Sequence, residues 1–214
     1  MKNMDQFTDR IGVGLVANLD GFEWLSSSYQ LRKRLDDGWV GISIEVLPTS
    51  KRGFVKLAAH GHIRNDEIED RYTPFNSLLT STDVKEHATL TINCDTLLRN
   101  SPLIHGFSSD ESSVEQFILG YARELRQHVV PWLEKHVTKE SLLRGLSSGN
   151  PREWITSDRL TRFPVLLAIH SGSGDWEEFE KIAEEFSKYC EKPHGLVHKP
   201  YAEAVIKGLR QLCS

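Results

Sequence analysis

Alternating and helical hydrophobic periods occupy different parts of this chain, and their separation limits the folds open to it. Between about residues 22 and 94 apolar residues recur every second position. In Phe22 to Leu35 the residues Leu25, Tyr29, Leu31 and Leu35 share one side. "WVGISIEVL" places Val40, Ile42, Ile44 and Val46 on one face, and "FVKLAAHGHI" and "ATLTINC" read as a third and a fourth strand. The "DDG" at 36–38 is a hairpin turn, because aspartate and glycine tolerate positive φ. Before these strands, Phe7, Ile11, Leu15, Val16 and Leu19 predict a helix over 5–19, ended by a left-handed Gly21.

From Ser112 onward the period is helical. Ser112 and Glu115 form a capping box, followed by the stripe Val114, Phe117, Ile118, Tyr121, Leu125 and Val129. Pro131 predicts a kink, and Thr138 caps "KESLLRGL". "RFPVLLAIH" reads as a helix broken by "SGSG". Asp175 caps the next helix, whose buried stripe is Trp176, Phe179, Ile182, Ala183 and Phe186. Pro200 opens the last, with Val205, Ile206, Leu209 and Leu212 inward. The expected fold is therefore α+β: an N-terminal helix, an antiparallel meander of about four strands, then about five helices. A helix-plus-sheet part at 1–110 and a helical part at 111–214 form one packed unit, with "SSGNP" as the best candidate boundary.

Composition removes several classes of function. A net charge of −4 gives no electrostatic reason to expect nucleic acid or anionic lipid as partner. No apolar run reaches the roughly 20 residues that cross a bilayer. "MKNMDQFTDR" lacks the features of a secretory signal, and the 3 widely spaced cysteines argue against a disulfide framework, so a reducing cytoplasm is expected.

"HGHIRNDEIED" at 60–70 is the densest polar stretch. On a strand His60 and His62 point to one face, the geometry of a histidine metal pair, and Glu67 or Glu69 offers an oxygen ligand. Against this, Leu57, Ala59 and Ile63 lie on the other face, which makes the histidine face the polar one. The stretch then reads as a strand leaving the sheet through a solvated turn, with Arg64 in an exposed ion pair worth about 0–1 kcal/mol. "GVGLVA" at 12–17 lacks the preceding strand of a dinucleotide motif, so its glycines serve helix packing. "SGSGD" lacks the lysine of a phosphate loop, and no nucleophile elbow or metalloprotease motif occurs. The helix "DWEEFEKIAEEFSKYCEK" carries Glu177, Glu178, Glu180, Glu184 and Glu185, an acidic face able to steer a basic partner.

The early helix followed by "GF", the meander, "VVPWLEKHVTKESLL" and "LLAIHSGSGDWEEFEKIAEEF" together resemble small bacterial proteins built on a domain of unknown function. The resemblance covers most of the chain, and its motifs, Pro131 to Glu134 and Gly174 to Trp176, are structural. The resemblance implies a bacterial cytoplasmic protein and carries no catalytic residues. The expected function is a non-enzymatic protein-binding module of the immunity or defence-accessory kind, without cofactor or membrane partner. The alternatives are a metal-assisted hydrolase on the His60/His62 face and a structural or oligomeric subunit.

Overall fold

A computed structural model describes residues 2–76, 88–98, 101–147, 155–156 and 158–212. "SSGNP" falls almost wholly outside these residues, as do His87 and Cys213. The fold is α+β. Helix α1 (Lys2–Val16) precedes strands β1 (Glu23–Leu25), β2 (Gln30–Leu35), β3 (Gly38–Pro48) and β4 (Phe54–Asn65). Helix α2 (Asp66–Asn76), β5 (Leu90–Asn93) and β6 (Phe107–Ser108) follow. The chain continues as α3 (Glu111–Glu124), α4 (Val130–Lys135), α5 (Lys139–Ser147), α6 (Arg159–Ser173), α7 (Trp176–Cys190) and α8 (Lys199–Gln211).

The sheet order is β1-β2-β3-β4-β5, with β6 paired to one end of β4. Two of its six strands exceed the expected meander. The segment 22–35 is a hairpin rather than one strand, because Tyr29 adopts φ 48° and turns the chain between β1 and β2. β6 holds only two residues and is held by its antiparallel register with Phe54 and Val55. The "DDG" turn is as read: Leu35 pairs with Gly38 across two aspartates.

The chain divides into two compact units, 1–63 with 91–137 and 64–90 with 138–214. The first holds the sheet with α1, α3 and α4. Its core joins Leu31, Val40, Ile42, Ile44 and Leu57 from the strands to Ile11, Leu15, Val114 and Leu125 from the helices, all buried. The α1 glycines serve packing: a Cβ on Gly12 would strike the Trp24 ring of β1, and one on Gly14 would meet Ile118 of α3. Between α3 and α4 lies one π-helical stretch, Leu125–Val129. Pro131 supplies no N–H to the ladder, and the chain absorbs this as a π turn that keeps Leu125, Val129 and Leu133 inward. The α3 cap is Asp110, whose carboxylate accepts the Ser113 N–H at 3.0 Å, so the helix starts before the Ser112 box.

The second unit holds α2, α5, α6, α7 and α8. "SGSG" ends α6 at its last residue and not its first: the helix runs through Gly172 to Ser173 and stops at Gly174, φ 71°. Gly172 stays helical because its bare face lies against the Arg71 guanidinium. Trp176 and Leu212, both expected inside, are 38% and 59% exposed. Gly208 of α8 is pressed on the Phe75 ring of α2. Gly208→Ala is therefore expected to overpack this contact and cost about 1–3 kcal/mol, read as a lowered thermal midpoint. An unchanged midpoint would show that Phe75 moves aside freely.

Candidate functional site

The stretch 60–70 is not a strand ending in a solvated turn. β4 continues to Asn65, whose side-chain oxygen accepts the Ile68 N–H at 3.1 Å and so starts α2 directly. Asp66, Glu67 and Glu69 then sit in the first turn, where the helix dipole favours anions. Arg64 is only 8% exposed and Glu69 is fully buried, their charged atoms 3.7 Å apart. Asp66 and Asp70 complete the cluster at 2.8 and 3.6 Å from the guanidinium. The exposed pair expected from the sequence is an interior one.

Two of the three metal candidates, Glu67 and His62, are engaged elsewhere. Glu67 accepts from Lys139 at 2.9 Å and lies 3.8 Å from Arg71. His62 has both ring nitrogens in hydrogen bonds, Nε2 with Ser43 Oγ at 2.8 Å and Nδ1 with Thr91 Oγ1 at 3.2 Å. His60 is exposed. Among the described residues no three histidine, cysteine or acidic side chains gather as a ligand set. Cys94 is buried and its thiol is pushed up to about 12 by desolvation and then by Asp95, which makes it a poor nucleophile.

The acidic helix is less bare than its sequence suggests. Glu178 pairs with Lys181 at 3.1 Å, Glu184 with Lys188 at 2.6 Å, and Glu180 with Arg210. The Arg210 guanidinium holds the Glu180 carboxyl below its ordinary range. Of the five glutamates, Glu177 and Glu185 stand outside these ion pairs, and Arg162 and Lys188 act on Glu185 at longer range.

A recess of about 390 Å³ in the first unit brings polar groups together more closely. The β2–β3 pairing ends where Gln30 faces Ser43, and Tyr29, in its left-handed turn, still holds the Ile44 N–H through its carbonyl at 2.9 Å. The hollow there is lined by Asp5 and Thr8 of α1, Ser28 and Tyr29 of the turn, Ser43 and Glu45 of β3, and His60 of β4. Two carboxylates and no lysine or arginine stand among its described lining residues. Burial, and then a hydrogen bond to Asp5, push the Tyr29 hydroxyl above its usual range, so it stays protonated. Asp9 beside it accepts the Trp24 indole N–H at 3.0 Å. A left-handed non-glycine residue costs roughly 1–3 kcal/mol and persists only where its surroundings enforce it, which marks this turn for attention.

Ser43 stands between the recess and His62. The bonds Ser43–His62–Thr91 run across β3, β4 and β5 on the polar face of the sheet. Desolvation, then the neighbouring His60 and Arg32, lower the His62 imidazole to about 4, so it is neutral at physiological pH. Sequence reasoning picked His60 and His62 but neither Ser43 nor Thr91. The only available signal was that both are hydroxyls on the polar side of an alternating strand.

Comparison with protein families, with characterised proteins and with solved structures returned no significant match. Among the described residues no helix is long and apolar enough to cross a membrane.

Proposed function

We propose that this chain is a binding module for a basic protein partner, of the immunity or defence-accessory kind. The observation that carries the reading is the recess, whose described lining presents Asp5 and Glu45 with no cationic side chain to neutralise them. A lysine or arginine inserted there meets carboxylates and the Tyr29 ring, acceptors suited to a desolvated cation. The overall charge of −4 assists approach, and Glu177 and Glu185 of α7 add to the long-range field. The paired glutamates of α7 contribute less, because their own lysines and Arg210 screen them.

The test is quantitative capture from the native host with immobilised wild type and variants. A stoichiometric basic protein is expected on the wild type, lost by about tenfold or more in Asp5→Asn/Glu45→Gln. Its retention is expected to change little in Glu177→Gln/Glu185→Gln. Retention indifferent to the recess substitutions, or no stoichiometric basic protein at all, would sink the proposal.

A further inference from the structure

We propose that Ser43 is a nucleophile with His62 as its base, giving this chain an ester-hydrolysing activity at the recess. The geometry is that of nucleophile, base and orienting group in sequence. Ser43 Oγ lies 2.8 Å from His62 Nε2, and His62 Nδ1 lies 3.2 Å from Thr91 Oγ1. Each side chain is anchored on a different strand of one sheet, so the alignment is set by β3, β4 and β5 and not by a mobile loop. Ser43 lines the 390 Å³ recess while His62 does not, which places the nucleophile toward an incoming substrate and the base behind it.

The alternative reading is a satisfied polar ladder, and one feature goes beyond it. The ladder ends on the wall of a hollow that a substrate can enter, with Ser43 on its lining. In the tautomer that donates Nδ1–H to Thr91, Nε2 accepts the Ser43 O–H.

Ser43 Oγ bonds to the ester carbonyl carbon and its proton passes to His62 Nε2. Collapse of the tetrahedral adduct breaks the bond to the alcohol, which leaves with the proton from His62. Water then attacks the acyl-serine by the same proton route, releasing a carboxylic acid and restoring Ser43. Thr91 orients the ring but, being neutral, does not stabilise the imidazolium as a carboxylate would. Both steps are slowed, but an ester whose leaving group departs without protonation, such as nitrophenolate, acylates faster than water deacylates, and a trapped acyl-serine is the expected state with it. Asp5 and Glu45 in the same lining disfavour anionic acyl groups, so the substrate class is an uncharged or cationic carboxylic ester. The inference does not rest on the partner proposed above, since it needs no protein ligand.

The experiment is a burst assay with 4-nitrophenyl acetate, followed by intact-mass and peptide mapping of the protein. One equivalent of nitrophenolate is expected in the burst, with a single acetyl group on Ser43. Ser43→Ala should abolish both. His62→Gln should slow labelling by roughly 100-fold or more. Thr91→Val, which removes only the orienting hydroxyl, should slow it to a smaller extent and stands in if the His62 variant fails to fold. Absence of a burst, acetylation at another residue, or a folded Thr91→Val protein labelled at the wild-type rate would overturn the assignment.

Discussion

Replacing Arg64 by leucine is expected to destabilise the protein by about 3–5 kcal/mol, because it takes the guanidinium away from the fully buried Glu69 carboxylate 3.7 Å from it. Arg64 is 8% exposed and its guanidinium serves Asp66, Glu69 and Asp70, but Glu69 alone among these is fully buried. An exposed pair in this position would cost at most about 1 kcal/mol to remove, so the size of the loss reports the burial directly. The double variant Arg64→Leu/Glu69→Leu should regain most of it, since an apolar pair of similar volume avoids the desolvation that the ion pair had to overcome. Urea denaturation of the four proteins in the cycle gives both numbers. A single-variant loss near 1 kcal/mol would show that the Glu69 carboxylate does not depend on Arg64 for its compensation.

That cluster also marks where the sequence stopped being informative. The signals for α2 were present: Asn65 as cap, three acids in the first turn and Ile68 facing inward. They resembled a solvated turn because the helix is polar, and nothing in the period shows that Arg64 and Glu69 go inside. By contrast the β3 and β4 faces were legible, since strict alternation separates Leu57, Ala59 and Ile63 from His60 and His62. At α6 the stop read at "SGSG" falls on its last glycine and not its first, because a helical glycine costs only about 1 kcal/mol and the bare face of Gly172 lets the Arg71 guanidinium close in. The candidate site was the least legible feature. Ser43, His62 and Thr91 lie 19 and 29 residues apart, and each reads singly as a polar strand residue. Which of them meet depends on register, and register is fixed by turns whose geometry the periodicity does not specify.

Acidification should expose the state of His62 independently of any activity. In the folded protein its imidazole stays neutral down to about 4, whereas in the unfolded chain it takes up a proton near 6.5. Between these values the unfolded state binds more protons, so stability rises with pH across the window and is lost as pH falls through it. The contribution is complete above about pH 6.5 and gone below about pH 4. The full shift would correspond to about 3 kcal/mol, and partial burial of the ring reduces the expected loss to roughly 2 kcal/mol. Carboxylates also titrate in this range, so the measurement is a difference: unfolding free energies of wild type and His62→Gln from pH 7.5 to 4. The glutamine variant keeps hydrogen-bonding groups for Ser43 and Thr91 but cannot ionise. The two curves should converge as pH falls, with the wild type losing the larger share. Parallel curves would mean that His62 protonates as readily in the folded sheet as in water and that the sheet does not desolvate it.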